Sequence, residues 1–583
     1  MDNMINLTID GVQVSVPAGS TVLEAARQAN IHIPTLCYLK DVNQIGACRV
    51  CLVDVGARAL QAACVYPVAE GMVVKTNTPA VRRARKTVVE LLLSIHDRKC
   101  LSCSRNNNCE LQDLCRDLGI DDDNRFAGEV IPYAIDDASP CVVRDNNKCV
   151  LCRRCVAACH NQQNVGVIGA VKRGFATAIE SPWGAKLADT GCVGCGQCIV
   201  ACPVGALREK DSIKAVDALI ASPKHVVVQT APAVRAALGE EFGIPMGTSV
   251  TGKMAAALRR LGFDKVFDTD FGADLTILEE GTELVQRIQN KGVLPMITSC
   301  SPGWVKYCET YDPDFIPNLS SCKSPHEMLG AVIKSYYAEK AGIDPKDIAV
   351  VSVMPCTAKK FEAKREQLVT NGLADVDEVL TTRELAKMIR QAGIDFAKLP
   401  DEDFDSVLGE STGAGVIFGA TGGVMEAALR FAYEAVTGKE LEKVEFHEVR
   451  GLKGVKEATI ALGDLNLNVA VAHGTGNAQQ MLDSVRNGEK HYDFIEVMCC
   501  PGGCVTGGGQ PIVKSAVRSE VNVSAERAKA LYGEDEGKAR RKSQDNEELK
   551  VLYKEYLGEA GGHRAHHLLH TTYVARDRYE NLK

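Results

Sequence analysis

The sequence predicts a multidomain protein, with α+β modules in its N-terminal third and a large α/β domain after residue 216. Two observations lead to this prediction. Cysteines before residue 210 form short clusters with two or three intervening residues, a spacing typical of metal ligands. After residue 216, apolar runs that read as buried strands alternate with small-residue loops and helices, which is the pattern of an α/β sheet.

Composition limits the class of protein. The chain has 583 residues, 45% hydrophobic and 24% charged, with a net charge of −8, which is ordinary for globular proteins and argues against a nucleic-acid partner. The start, MDNMINLTIDGVQVSV, alternates like a strand and has no apolar signal core, and no later stretch reaches transmembrane length. We therefore expect a cytoplasmic protein with no membrane partner, in which 24 cysteines serve metal binding rather than disulfides.

Residues 1–78 predict a β-rich domain with one metal cluster. The segment LTIDGVQVSVPAGSTVLEAARQANI reads as strand, turn at Gly11, strand, and a helix capped by Ser20 or Thr21. The predicted ligands that follow are Cys37, Cys48, Cys51 and Cys64. This arrangement resembles a plant-type ferredoxin, a β-grasp fold that holds a [2Fe–2S] cluster. The spacing differs from that of the commonest plant ferredoxins, because ten residues separate Cys37 from Cys48.

Residues 79–138 contain a mixed histidine and cysteine set. The helix ARKTVVELLLSIH carries His96 into the loop KCLSCSRNNNC, which supplies Cys100, Cys103 and Cys109. One imidazole and three thiolates can hold a [4Fe–4S] cluster or a zinc ion, and the flanking cluster motifs favour iron. Cys115 and Cys141 are expected to be packing thiols.

Residues 139–215 carry two cysteine runs with the same spacing of two, two and three residues. The runs are Cys149, Cys152, Cys155, Cys159 and Cys192, Cys195, Cys198, Cys202. This is the signature of a two-cluster bacterial ferredoxin, in which the fourth cysteine of each run ligates the other cluster. We therefore assign Cys202 to the first [4Fe–4S] cluster and Cys159 to the second.

Cysteines also follow predicted strands of the α/β region. LPMITSCSPGWV, IAVVSVMPCTAKKF and HYDFIEVMCCPGGCVTGGGQP each read as a buried strand and then a loop. Strand carboxyl ends meet at a ligand crevice in open α/β sheets. The cysteines on these loops are Cys300, Cys356, Cys499, Cys500 and Cys504, and they predict one cluster in a buried cleft.

The segments TSCSPGW, MPCTAKKFE and EVMCCPGGCVTGGGQP match the three signature segments of [FeFe] hydrogenases. The chain resembles the clostridial type with four accessory clusters, and the hydrogen-activating subunit of NAD(P)-linked, electron-bifurcating hydrogenases. The resemblance implies a catalytic domain over 216–518 and a short helical belt, like the family's small subunit, over 519–583. It also implies the H-cluster, a [4Fe–4S] cubane joined to a di-iron unit that carries CO, cyanide and an azadithiolate.

The resemblance implies roles for individual residues. Cys356 and Cys500 would ligate the cubane, and Cys504 would bridge the cubane to the di-iron unit. Lys359 would donate to a cyanide, where a buried charge-assisted hydrogen bond is strong. The remaining residues expected to contact the cofactor are Pro232, Met354, Met498, Ser301 and Gly507.

One position departs from the family pattern. Most members have two adjacent cysteines, the first relaying protons and the second ligating the cubane, where this chain has Cys300 and Ser301. Serine is a poor iron ligand because its hydroxyl resists deprotonation. Three alternatives follow: Cys300 ligates the cubane, Ser301 or water fills the fourth position, or the additional Cys499 compensates.

The resemblance also implies a proton path. Glu280, Glu283 and Arg287 have helical spacing, and with Ser320 they match acidic and hydroxyl groups that relay protons to Cys300. The alternative is an ion-paired helix on the surface. A relay poised by burial is what proton transfer to a buried metal requires.

These features predict reversible conversion of two protons and two electrons into hydrogen. The expected electron partners are ferredoxin or flavin and iron–sulfur subunits that oxidise NAD(P)H, because this sequence has no flavin or nicotinamide motif. Maturation proteins are also expected. The alternatives are a non-catalytic electron conduit, and a sensory or iron–sulfur assembly relative without fast turnover, which Ser301 keeps open.

Overall fold

The N-terminal part of the chain is a small mixed sheet. In the computed structural model, Met4–Ile9 and Val12–Pro17 form an antiparallel hairpin. Val73–Val74 pairs parallel with the first of these strands. The structure describes the whole chain except residues 1–3, 442, 464 and 580–583.

Helix Val22–Gln28 packs against this sheet. It begins at Thr21, whose side chain forms a capping box with Glu24, so the cap is Thr21 rather than Ser20. The order of strand, turn, strand and helix is the one that the sequence predicts. A second antiparallel pair, Leu52–Val53 with Gln61–Ala62, follows in the cysteine-bearing loops.

Residues 79–215 form short elements joined by loops. The longest is helix Pro79–Leu93, which starts at the Thr78 cap with proline in its first turn. The others are helices Glu110–Asp117, Arg154–Ala157 and Gln197–Ala201, the strand pair Val142–Arg144 with Leu207–Glu209, and the strand pair Gly169–Val171 with Ala178–Glu180. Little regular structure is available here, so loop backbone and cysteines supply much of the core.

Two four-stranded sheets form the centre of the α/β region. The first is wholly parallel, in the order Lys265–Asp268, His225–Thr230, Ile348–Met354, Glu378–Thr381. The second has the order Met296–Ile297, Phe494–Met498, Leu465–His473, Val455–Leu462, with only the last strand antiparallel. The two central strands of the first sheet are buried along nearly their whole length, as expected for a parallel sheet with helices on both faces.

Helices surround the two sheets. The longest, Thr269–Gln289, includes the segment predicted to be helical and is largely buried. The others are Ile213–Ile220, Pro232–Arg235, Thr251–Arg260, Pro302–Tyr311, Pro325–Val332, Ala338–Ala341, Lys359–Glu362, Thr382–Gln391, Gly413–Ile417, Gly423–Thr437 and Thr475–Arg486. A two-stranded pair, Val369–Thr370 with Leu373–Ala374, lies outside the main sheets.

The C-terminal segment is helical and packs on the α/β region. Its helices are Ser515–Glu520, Val523–Gly537, Glu547–Leu552 and His563–Leu569. Asp535 forms a buried ion pair with Arg430 at 2.9 Å, and a Cβ at Gly413 would overlap the Asp535 side chain. Within the described parts of the chain, no helix is long and apolar enough to cross a membrane.

Candidate active site and cluster sites

The four thiols predicted for the first cluster converge in the N-terminal domain. Cys37, Cys48, Cys51 and Cys64 are all buried and free. The Cys37 N–H donates to Cys48 Sγ at 3.4 Å, and the Cys48 N–H donates to Cys37 Sγ at 3.5 Å. Backbone donors directed at buried sulfur favour thiolates, so these residues fit a [2Fe–2S] cluster.

The mixed set lines a single cavity. Its walls include the four predicted ligands His96, Cys100, Cys103 and Cys109, together with Cys115. His96 Nδ1 is buried with no hydrogen-bond partner among the described residues. Burial lowers the pKa of His96, which favours the neutral form that binds metal. Gly205 also lines the cavity, and only a glycine fits there because a Cβ would lie 2.4 Å from Cys103 Sγ.

The two cysteine runs exchange their fourth members in space. Burial raises the pKa of Cys155 well above its usual value, and Cys152, Cys202 and Cys149 are the nearest charges that add to this effect. For Cys198, in the second run, the corresponding neighbours are Cys195 and Cys192 of the same run and Cys159, the fourth cysteine of the first run. Cys202 thus lies with the first run and Cys159 with the second, as the two-cluster pattern predicts.

The candidate active site is a buried cavity where strands of both sheets end. Strands ending at Thr230, Ile297, Met354 and Met498 lead into its loops. The predicted residues that line it are Pro232, Cys300, Ser301, Met354, Cys356, Lys359, Met498, Cys499, Cys500, Cys504 and Gly507. Sequence reasoning did not select Thr269, His326 and Phe418, which also line it, because no cysteine or family segment marks them.

Three thiols come together on one side of this cavity. Burial raises the pKa of Cys356 well above its usual value, and Cys500 and Cys504 raise it further. Burial and Cys500 raise the pKa of Cys504 to about 12. Thiols at this density in an apolar cavity become thiolates only when a metal compensates their charge, so the donor set fits a cubane.

Cys300 and Ser301 face different neighbours. Burial raises the pKa of Cys300 well above its usual value, and the charge of Glu280 raises it further. Ser301 Oγ accepts the Cys499 N–H at 3.2 Å. The thiol of Cys499 lies against Gly303, where a Cβ would be 2.7 Å from Sγ. Ser301, which stands where most family members have a ligand cysteine, is therefore next to Cys499, the cysteine that most members lack.

Lys359 is held at the cavity wall by buried partners. Its Nζ donates to Glu362 Oε2 at 2.7 Å and to the Cys300 carbonyl at 3.1 Å. The same Glu362 oxygen lies 2.6 Å from His326 Nε2. Burial alone would raise the pKa of Glu362, but Lys359 and His326 outweigh it and hold the pKa at about 2. The ammonium therefore stays charged and oriented beside the cavity.

Glycines bring the catalytic loop close to the second ferredoxin-type cluster. A Cβ at Gly508 would lie 2.2 Å from the Cys195 carbonyl, and one at Gly196 would lie 2.9 Å from Gly508 Cα. Gly507 is similarly close to the Pro355 carbonyl. Cys195 itself lines the catalytic cavity and contacts the Cys499 side chain, so the two sites adjoin each other.

Three of the predicted proton-path residues, Arg287, Glu283 and Ser320, are joined by hydrogen bonds, and the fourth, Glu280, is buried near Cys300. Arg287 donates to Glu283 Oε1 at 2.6 Å, and the Ser320 hydroxyl donates to Glu283 Oε2 at 3.1 Å. Glu280 is 1% exposed, and neither of its oxygens has a hydrogen-bond partner in the described chain. Burial raises the pKa of Glu280 to about 8. The helix is not an exposed ion-paired face.

Family models match successive parts of the chain. They are described as 2Fe-2S iron-sulfur cluster binding domain (residues 2–79), NADH-ubiquinone oxidoreductase-G iron-sulfur binding region (85–124), 4Fe-4S dicluster domain (148–208), iron only hydrogenase large subunit, C-terminal domain (224–508), and iron hydrogenase small subunit (521–576). Their order and descriptions match the predicted series of sites.

Curated relatives match nearly the full length. The chain is 51% identical to the NADP-reducing hydrogenase subunit HndD of Solidesulfovibrio fructosivorans, over 99% of this chain and 100% of the relative. It is 46% identical to iron hydrogenase 1 of Clostridium pasteurianum, over 98% and 100%. A structure of apo [FeFe]-hydrogenase HydA1 from Chlamydomonas reinhardtii superposes with a TM-score of 0.57 and 44% identity, covering 63% of this chain and all of that one.

Relatives named as iron–sulfur assembly factors are more distant. Cytosolic iron-sulfur assembly component 3 of Bos taurus is 30% identical over 67% of this chain and 84% of its own length. The comparison favours the hydrogenases over the assembly alternative.

Proposed function

The chain belongs to the [FeFe] hydrogenase family, and we propose that it interconverts protons, electrons and hydrogen at the buried cavity. The observation that carries the proposal is the meeting of three elements there: the Cys356, Cys500 and Cys504 thiols, the charged Lys359, and Cys300, which has the buried Glu280 nearby. The bound H-cluster supplies the chemistry that makes and breaks the hydrogen molecule. The residues bind and orient that cofactor, exclude water and move protons.

Twenty side chains would hold the clusters. The [2Fe–2S] cluster would be held by Cys37, Cys48, Cys51 and Cys64. The three accessory [4Fe–4S] clusters would be held by one set each: His96, Cys100, Cys103 and Cys109; Cys149, Cys152, Cys155 and Cys202; and Cys192, Cys195, Cys198 and Cys159. The cubane of the H-cluster would be held by Cys356, Cys500, Cys504 and a fourth ligand. The domains would be 1–78, 79–138, 139–215, 216–518 and 519–583. Matched family models begin and end near these limits.

The fourth cubane ligand is Cys499, and Cys300 relays protons. The charge of Glu280 raises the pKa of the buried Cys300 thiol further, and a thiol beside a carboxyl suits a proton relay. The Cys499 thiol contacts both Cys195 and Cys500, lines the same cavity, and its N–H donates to Ser301. A thiol loses its proton far more readily than the Ser301 hydroxyl does, so the additional cysteine compensates for the serine.

Protons reach the cavity by way of Glu283, Ser320, Glu280 and Cys300. The Ser320 hydroxyl donates to Glu283 at 3.1 Å. The pKa of Glu280 is raised to about 8, so this carboxyl can hold a proton at neutral pH. A general acid is most effective when its pKa lies near the operating pH. Lys359 supplies a fixed positive charge to the cofactor, with Glu362 positioning it, while Met354, Met498, Pro232 and Gly507 shape the wall.

The residues that would hold the accessory clusters form a series from the N-terminal domain to the cavity, and the clusters bound there would supply the electrons. Leu101, between two ligands of the second site, is 95% exposed, so that site reaches the surface. Cys195 lines the catalytic cavity, so the last accessory cluster adjoins it. Subunits that oxidise NAD(P)H supply the electrons, which is supported by the similarity to HndD; ferredoxin is the other donor. Maturation proteins load the di-iron unit in the cytoplasm.

The proposal is tested by hydrogen evolution from anaerobically matured protein with reduced viologen. We expect evolution from the wild-type chain and only the baseline of unmatured protein from Cys356→Ala. NADPH alone should not drive the reaction, because the chain lacks a nicotinamide motif. Matured wild-type protein that evolves no hydrogen above baseline would overturn the proposal, and would revive a sensory or assembly role.

A further inference from the structure

A histidine-rich segment near the C-terminus, GGHRAHHLLH over 561–570, reaches the proton relay. His570 Nδ1 lies 2.8 Å from Ser321 Oγ, and Nε2 lies 3.0 Å from Glu279 Oε2. The imidazole side chain is 5% exposed. It therefore lies between two polar groups of the α/β region, although it belongs to the C-terminal helical segment.

Backbone hydrogen bonds fix the position of this histidine. The Lys323 N–H donates to the Leu569 carbonyl, and the Thr571 N–H donates to the Ser321 carbonyl, both at 2.8 Å. These bonds flank His570 on both sides and hold the strand-like end of the segment against residues 321–323. The imidazole contact is thus built into the packing of two distant parts of the chain.

The hydrogen bonds of Glu283 show where protons can enter the relay. Its Oε1 is occupied by Arg287 at 2.6 Å, and a guanidinium does not release protons in proteins. Its Oε2 accepts the hydroxyls of Ser320 and Ser321, each at 3.1 Å. Ser320 lies on the side of the buried Glu280. Ser321 lies on the opposite side, where its hydroxyl contacts His570.

We propose that His570 loads protons into the relay through Ser321 and Glu283. The inference rests on the proposed function, because it adds an outer group to the same proton path. His570 acts through Glu283 and not on the cofactor, so it is a relay residue. The neighbouring titratable groups are Glu279, Cys322, Tyr553 and His566.

The transfer balances without any electron change. In the imidazolium, Nε2–H donates to Glu279 and Nδ1–H donates to Ser321 Oγ. The Nδ1–H bond breaks as a new O–H bond forms on Ser321, while the original hydroxyl proton moves to Glu283 Oε2. The neutral imidazole that remains keeps its Nε2–H on Glu279. The exposed His566 ring, stacked 4.6 Å from the His570 ring, marks the solvent side from which the imidazole is reprotonated.

The test compares variants in the matured full-length enzyme. His570→Gln keeps a polar side chain but cannot carry a proton, and Ser321→Ala breaks the next link. Each should lower viologen-driven hydrogen evolution about ten-fold, which is less than the roughly 10²–10⁴-fold contribution of a group that transfers the proton in the reacting step itself, and should raise the solvent deuterium isotope effect. His563→Gln, on an exposed residue of the same helix, is the matched control and should leave both quantities unchanged.

Chemical rescue separates proton transfer from structure. Added imidazole should restore most of the activity of His570→Ala and none of the activity of Ser321→Ala, with the infrared spectrum of the cofactor unchanged in both. Wild-type rates and isotope effects in His570→Gln and Ser321→Ala would overturn the inference, and so would a loss that imidazole does not restore. Failure of the proposed function is distinct, because the wild-type enzyme itself would then evolve no hydrogen.

Discussion

The accessory-cluster modules and the catalytic cavity collect the same type of ligand in different ways. The paired ferredoxin-type sites draw all their ligands from two runs between residues 149 and 202. The catalytic cavity draws its thiols from loops after strands of two separate sheets, at Cys356 and at Cys500 and Cys504. Local spacing therefore specifies the first kind of site, whereas the second exists only when the whole α/β region is folded.

The comparison predicts its largest effect at the catalytic thiols. Cys504→Ala removes the thiolate that would join cubane and di-iron unit, so hydrogen evolution should fall to the baseline of unmatured protein. The accessory clusters should keep their electron paramagnetic resonance signals, since their ligands lie in other domains. Cys308→Ala, a buried thiol that does not line the cavity, is the control. Equal activity in Cys504→Ala and wild type would break the comparison.

Glu280→Gln tests the relay with a smaller expected effect. The amide cannot carry a proton, so turnover should fall by about 10²–10⁴-fold, the range for a positioned general acid. Cofactor infrared bands should remain, because Glu280 binds no metal in this account. Glu280→Asp, which keeps a titratable group, should retain more activity than the amide. A fully active Glu280→Gln enzyme would remove this residue from the path.

The pKa of Glu280 also sets a pH dependence. Burial raises it to about 8, so the carboxyl holds its proton below pH 8 and is ionised above it. Hydrogen evolution, which needs the proton donor, should decline as pH rises through about 8, while hydrogen oxidation, which needs the acceptor, should rise there. Both changes are expected to disappear in Glu280→Gln. A wild-type profile that is flat across this range would contradict the assignment.

Variants of the adjacent residues Ser301 and Cys499 test which side chain is the fourth ligand of the catalytic cubane. Cys499→Ala should lower the cubane iron of the catalytic domain and weaken its magnetic signal, because a thiolate ligand is lost. Ser301→Ala should leave that iron content unchanged. Ser301→Cys in the Cys499→Ala background should restore the signal. The reverse pattern, with loss only in Ser301→Ala, would assign the fourth position to the serine.

The smallest effect is expected in the accessory modules. Cys51→Ala should remove the [2Fe–2S] signal but lower viologen-driven evolution only about two- to five-fold, because a small dye can reduce the remaining clusters directly. The loss should be larger when electrons come from the physiological donor complex. If evolution from viologen stopped completely, the first cluster would be an obligatory entry point, and the modules would be less separable than we propose.

Sequence alone predicted much of this arrangement, and the residues show why. The exchange of Cys159 and Cys202 follows from local spacing, and the structure shows it. The long helix that carries Glu280, Glu283 and Arg287 follows from periodicity. Cys356, Cys500 and Cys504 required recognition of family segments, because spacing does not bring together residues almost 150 positions apart.

Other features could not be predicted because they depend on tertiary contacts. His326, which contacts Glu362 beside Lys359, comes from a separate helix, and it has no sequence signal that singles it out. The contact of His570 with Ser321 depends on how the C-terminal segment packs, and no local spacing reveals it. Similarly, the adjacency of Ser301 and Cys499 joins positions nearly 200 residues apart.

The infrared spectrum of the anaerobically matured wild-type chain tests the central claim most directly. Our account predicts bands of metal-bound CO and cyanide from a di-iron unit in the catalytic cavity, and the loss of those bands in Cys504→Ala. Carbonyl and cyanide bands are absent from proteins that contain only ordinary iron–sulfur clusters. A fully matured chain that contains its four accessory clusters but has no such bands would contradict the assignment of a hydrogen-forming site.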